Sequence, residues 1–476
     1  MEHGIRIRSI VLLWLFISGV SGIHAQPCLP DGIIFNSQAQ LDSFQILYPN
    51  CTEIEGFVVI HQNSDISDLS PLSNITAIGE HIWVSSSHID SLYGLHNLES
   101  IGSALSLFGG NYTNLKWLNS LRSIKDALQV ASCHSLLDLS GLDSLQYIGN
   151  FIQIDFNNNL FSLNGLQGVD SIHAELEIIN NDRLETLNGL DNLQYIAGDF
   201  LLIENPMLHD FTGLGTLDQV GGKLDIDNCD SLINFQGLHD LASIGGNLEI
   251  RYCDQLQDFS GLDELTSVGN LIAMVYNQDL ESVNGVENLK SVGTHINIIE
   301  HDKLEHLNGF QNVEYVGEGI MLYKNDVLSD ISGLENIDGT QLETLTIAFN
   351  PLLSDCSVYS ICTYIEMGGF MQIQGNMTGC ASEEEVEDGC EVNIEDPDLS
   401  YSVNIHPNPA NRIIHITIPT GETIEKVGIY STSGQLIIQH LTSETALDIS
   451  SLNAGMYICE VEFNGTFTRK LFVKTD

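Results

Sequence analysis

The feature that most constrains this chain is a clock. Gly141, Gly165, Gly189, Gly213, Gly237, Gly261, Gly285, Gly309 and Gly333 stand 24 residues apart, each followed by Leu, Val or Phe. Trp117, Gly94 and Pro71 hold the same register earlier, with steps of 24 and 23. A second glycine often follows eight residues on, as at Gly149, Gly221, Gly245, Gly269, Gly293 and Gly317. Self-similarity at such a period is the signature of a repeat architecture.

One unit, residues 224–247, reads LDIDNCDSLINFQGLHDLASIGGN. Leu224 and Ile226 alternate with Asp225 and Asp227, which predicts a short strand with one face inward and the two aspartates toward solvent. Apolar residues then recur every three positions, which suits turns. No single unit could bury that much apolar side chain. Stacked units bury it against each other, so the chain is read as an all-β solenoid of about twelve coils over 58–350.

Eight residues before each repeat glycine runs a second column: Asn157, Asn181, Asn205, Cys229, Cys253, Asn277, His301 and Asn325, with Cys133 and Asn63 at the corresponding places in earlier coils. Leucine-rich repeats carry asparagine or cysteine at such a position. The need is for a small polar side chain that turns inward and satisfies backbone groups where the coil bends. Cys229 and Cys253 fall on adjacent coils, within bridging range, but their Cβ vectors should run parallel, so no bridge is expected. Cys133 is expected to be a buried free thiol. The Asp225, Asp227 and Asp230 spacing lacks the glycine and final glutamate of a calcium loop, and the acids do not recur in every coil. No metal or other cofactor is expected.

A column of apolar residues lies on the outward side of the strands: Ile179, Ile203, Val275, Ile299 and Tyr323, with Tyr252 and Tyr276 beside it. Such residues fit a contact surface, and they equally fit plain strand propensity.

Asp and Glu outnumber Lys and Arg by 64 to 16, a formal charge of -48. That excess excludes nucleic acid and anionic lipid as partners, because binding either depends on Lys and Arg contacts that release counterions. Residues 1–25 read as a secretory signal: Arg6 and Arg8, an apolar run from Ile10 to Val20, then small residues. The run is short for a membrane span and no other is long enough, so no transmembrane anchor is expected. Export permits disulfides.

The phrase at 37–60, SQAQLDSFQILYPNCTEIEGFVVI, and the coil pattern L-x-G-L-x-x-L-x-x-I-G-x-x-L-x-I resemble receptor L domains, relatives of leucine-rich repeats. The resemblance covers roughly 28–390 and implies a right-handed single-stranded β-helix. It also implies end caps, at 26–57 and 351–390. Cys28 and Cys51 flank the entry helix and are expected to pair. Cys356, Cys362, Cys380 and Cys390 allow three pairings, among which the sequence does not choose.

After a linker at 391–400 the pattern changes. RIIHITI, EKVGIYSTSGQLIIQ, TALDISSLNAGMYICEVEF and FTRKLFVK read as short strands of a small Ig-like β-sandwich over 401–476. This segment is similar to the type A sorting domain of the type IX secretion system. The matching residues are Pro407, Asn408 and Pro409 in HPNPAN, Gly434 in the hairpin, Gly455 and Tyr457 in the LxAGMY turn, and Lys470 and Lys474 near the end. The resemblance implies a Gram-negative source, an outer-membrane translocon and a sortase as partners, and a released or surface-attached product.

No serine-hydrolase elbow, zinc-protease or catalytic-cysteine motif is present. Arg183, Arg251, Lys290, Lys303 and Lys324 are scattered across coils. The preferred reading is a binding or adhesion scaffold for a glycan or protein ligand. A polysaccharide-acting enzyme and a structural surface-layer component are the alternatives.

Overall fold

The structure is a computed structural model. It describes residues 27–392, 404–417, 423–431, 436–440, 445–463 and 466–475. The secretory signal, most of the linker and Gly434 lie outside the described residues. The chain divides into two compact units, 1–390 and 391–476.

The first unit is a parallel β-solenoid. A 15-stranded sheet runs its whole length, from Ile33–Phe35 to Met371–Gln374, each strand paired in parallel with the next coil's strand. The sheet therefore extends into both segments assigned to caps. Two-residue strands, such as Ser243–Ile244, form the second face as sheets of six and seven strands. In the four-residue strands, such as Leu224–Asp227, the first and third residues point inward. Leu224 and Ile226 are fully buried, and above and below them lie Phe200, Leu202, Leu248 and Ile250. Three phenylalanines, Phe211, Phe235 and Phe259, stack along the interior at 5.4 and 5.0 Å between rings.

The glycine clock has a steric cause. Gly165 has φ +123°, and a Cβ there would sit 2.1 Å from the Leu139 carbonyl oxygen of the preceding coil. Only glycine combines that backbone angle with that approach.

The ends are closed by short helices and disulfides. At the entry, Ser37 caps the helix Gln38–Asp42, Phe44 packs edge-on to Phe35, and Cys28 is bonded to Cys51. At the exit, the helices Tyr359–Glu366 and Glu383–Val392 are tied to each other by Cys362–Cys390, and Cys356 is bonded to Cys380 beside them. That fixes one of the three pairings the sequence left open.

The second unit holds an antiparallel sheet of three strands and one of four around a shared core that includes Ile414, Ile429, Cys459, Val461 and Phe472. This is a small β-sandwich. Among the described residues, no helix is long and apolar enough to cross a membrane.

Candidate functional site

The asparagine column forms a continuous internal ladder. The Asn157 amide Nδ2 donates to the Val130 carbonyl (2.9 Å), while its Oδ1 accepts the Cys133 N–H (3.0 Å). Asn181 repeats both contacts, to Ile154 and from Asn157. Asn205, Asn277 and Asn325 bond in the same way to Ile178, Ile250 and Ile298. Each side chain thus satisfies a donor and an acceptor that burial would otherwise orphan. Cys229 fills the place with a weak thiol bond to Leu202 (3.6 Å). Cys253 sits beside it, and Cys133, Cys229, Cys253 and Cys459 are all buried free thiols. Burial pushes Cys229 up to about 12, far from a reactive thiolate.

His301 substitutes an imidazole. Its Nε2 lies 3.2 Å from the Met274 carbonyl oxygen, and its Nδ1 lies 3.3 Å from the Asn277 nitrogen and 3.1 Å from the Asn277 carbonyl oxygen. Burial lowers its pKa to about 4. The ladder also extends beyond the residues expected for it. Asn350 and Asn376 continue it, offset by steps of 25 and 26 residues that hide them from a 24-residue count. Asn63 is not part of it. That side chain is exposed, and Ser64 is buried instead, because the first coils lack the backbone turn that aims the ladder inward.

That turn is a left-handed residue directly before each ladder position. Ser132, Phe156, Asn180, Glu204, Asn228, Tyr252, Tyr276, Glu300, Lys324 and Phe349 all have φ between 53° and 60°. Each such non-glycine residue costs roughly 1 kcal/mol or more. The conformation breaks strand alternation. It sends the next side chain into the core and leaves its own outside.

The outward apolar residues therefore occupy two adjacent columns. Ile179 pairs with Ile203, Val275 with Ile299, and Ile299 with Tyr323, all half-buried by their neighbours. Tyr252 and Tyr276 stand in the left-handed column, their rings stacked at 5.2 Å. Further along that column the Tyr276 hydroxyl and the Lys324 ammonium (3.0 Å) hold the Glu300 carboxyl below the usual range. Lys324 also lies over the Tyr323 ring, and Tyr323 meets Phe349 edge-on at 5.5 Å. Glu300, Asp302, Lys324, Asp326 and Phe349 line an open cleft of about 500 Å³.

Between the two apolar patches lies a charge network that corrects one expectation. Asp225 does not face solvent. It is 3% exposed and bonds Lys223 (3.0 Å) and Arg251 (2.7 Å). Arg251 also reaches Asp227 (3.1 Å) and Glu249. Strands one rung apart let long basic side chains lie across a short aspartate and cover it. Among the described residues, Asp155 has no such cation. Burial and the nearby Glu177 raise its pKa to about 6.

In the second unit the HPNPAN segment is clamped to the last strand. Asn408 Oδ1 accepts the Val473 N–H (2.8 Å), and Ala410 N–H donates to the Val473 carbonyl (2.8 Å). Pro407 and Pro409 flank Asn408, both following cis peptide bonds. Gly455 pairs with Lys474, and Lys470 with Cys459, in the final hairpin. The Tyr457 hydroxyl bonds the Asn453 carbonyl, closing the LxAGMY turn.

These features define a solenoid scaffold joined to a small sandwich built around its own terminal hairpin. Residues 404–474 match the secretion system C-terminal sorting domain, and residues 50–114 match the receptor L domain. No curated protein matches the chain. The sorting domain marks the protein for export by the type IX secretion system to the cell surface or extracellular space.

Proposed function

We propose that this protein is an exported binding scaffold of a Gram-negative bacterium, with the tyrosine columns as its contact surface. The observation that carries this is the stacked Tyr252–Tyr276 pair leading into the Glu300, Lys324 and Phe349 cleft. Aromatic rings held half-exposed on a rigid sheet lose little conformational entropy on binding, which suits a recognition surface. The left-handed backbone keeps these rings outside the core.

Support for the enzyme alternative is weaker. Neither matched family is an enzymatic one. The Glu300 carboxyl is held low by Tyr276 and Lys324, the reverse of what a proton donor needs.

The test is binding of the exported chain to cell-envelope polysaccharides and surface proteins. Saturable binding lost in Tyr252→Ala, Tyr276→Ala and Tyr323→Ala supports the reading. Turnover of a polysaccharide panel would replace it with the enzyme. Removing 401–476 should leave the chain in the periplasm, and normal display without that segment would refute the assigned export route.

A further inference from the structure

The outer face changes character along its length. Ile34, Val59 and Trp83 are paired in line along the second strand position of the first coils. Phe57 stacks on His81 on one side of this line, at 5.2 Å and 7° between planes. On the other side Phe108 leans against Trp83 at 5.3 Å. The result is a trough of about 520 Å³ with Trp83 46% and Ile34 45% exposed. Its lining contains no Asp, Glu, Lys or Arg. On a chain carrying -48, a recognition surface without a carboxylate is a departure that composition does not produce.

The same line continues as neutral polar groups. Trp83 pairs with Ser106, Ser106 with Gln129, and Gln129 with Gln153. The Ser106 hydroxyl donates to Gln129 Oε1 (2.8 Å), and Gln129 Nε2 donates to Gln153 Oε1 (2.8 Å). A hydroxyl and two amides, one per rung, are thus linked in a row that begins at an indole face.

We infer that this trough binds a neutral glycan chain, with a pyranose face on Trp83 and the next sugar's hydroxyls toward the half-buried amide of Gln129, which the buried Ser106 hydroxyl holds in place. A pyranose has an apolar C–H face, which suits an exposed aromatic ring, and a rim of hydroxyls, which suits uncharged amides. Rungs about 4.8 Å apart repeat at close to the length of one sugar unit in an extended chain. A protein partner for so acidic a molecule would be steered by basic residues toward carboxylates, and the trough offers none. The inference rests on the binding-scaffold reading but uses a different surface from the tyrosine columns.

Calorimetric titration of the full exported chain with β-linked glucose, xylose and N-acetylglucosamine hexasaccharides tests it. Saturable binding to at least one neutral hexasaccharide is expected, with no binding to a hexagalacturonate of equal length. Trp83→Ala should weaken Kd tenfold or more, Gln129→Ala severalfold, and Trp83→Tyr less than Trp83→Ala. Tyr252→Ala should leave this binding unchanged. Trp83 points outward, so an unshifted melting temperature for Trp83→Ala separates loss of contact from loss of fold, and Gln129→Ala decides the matter if Trp83→Ala melts early. Absence of binding to every neutral hexasaccharide, equal binding by Trp83→Ala and Gln129→Ala, or trough-dependent capture of a protein instead would overturn the inference. Loss of binding with Tyr252→Ala but not Trp83→Ala would overturn it while leaving the scaffold reading intact.

Discussion

The Tyr112 hydroxyl lies 3.2 Å from the Cys133 sulfur, in the place where the ladder lacks a side chain because position 110 is glycine. A Cβ on Gly110 would sit 2.0 Å from the Tyr112 ring. A tyrosine from farther along the coil thus plugs the head of the ladder, fully buried with its polar tip on the thiol.

Tyr112→Phe should therefore cost about 1 kcal/mol, the usual worth of one buried hydrogen bond. Tyr112→Ala should cost about 3–5 kcal/mol by opening a cavity at the same place. Urea unfolding of both variants checks the ratio.

Cys229 is a weak rung of the ladder, since a thiol replaces an amide that elsewhere makes two good bonds. Cys229→Asn should raise stability by roughly 1 kcal/mol, whereas Asn181→Ala should lower it by about 2–4 kcal/mol because it orphans a buried carbonyl and a buried N–H together. Thermal melts of the two variants should move in opposite directions.

His301 and Asp155 give opposite pH dependences. The folded pKa of His301, about 4, lies below its ordinary 6.5, so the unfolded chain binds the extra proton and stability falls as pH drops from 6.5 toward 4. His301→Asn should remove up to about 3 kcal/mol of that loss. Asp155 is the reverse. Its folded pKa, about 6, lies above the ordinary 3.8, so its penalty is absent below pH 3.8 and complete above pH 6. Asp155→Asn should be more stable than the parent at pH 8, by up to about 3 kcal/mol, and no more stable at pH 3.5. Stability measured across this range for both variants checks the two signs.

Arg251 neutralises three carboxylates at once, and the buried Asp225 depends on it. Arg251→Leu should cost about 3 kcal/mol, less whatever Lys223 retains. Combining it with Asp225→Asn should recover much of the loss, because the uncompensated charge goes too. A double-mutant cycle by denaturant unfolding measures the coupling.

Much of this molecule is legible in its sequence. The 24-residue clock set the coils, the apolar residues set the inward positions, and the Asn157-to-Asn325 column marked where the chain turns. The rungs Asn350 and Asn376 break the 24-residue count by one and two residues. Asn63 kept the count but lacked the turn. The aromatic trough is not legible in the sequence, because Ile34, Val59 and Trp83 read as ordinary strand residues and only rung pairing lines them up.

Local pattern determines such a solenoid because each coil buries itself only against its neighbours, so residues 24 apart in sequence are the contacts. What that pattern could not decide was solvent exposure on the outer face. Asp225 and Asp227 look alike in LDID, yet the first is buried and the second only half-buried, because Lys223 and Arg251 both close over the first while Arg251 alone reaches the second. The left-handed residues were equally hidden, since Tyr252, Glu300 and Lys324 share no chemistry, only a backbone angle imposed by the buried side chain that follows. The tertiary structure alone determines which outward side chains are covered, through the lateral reach of long residues on rungs less than 5 Å apart.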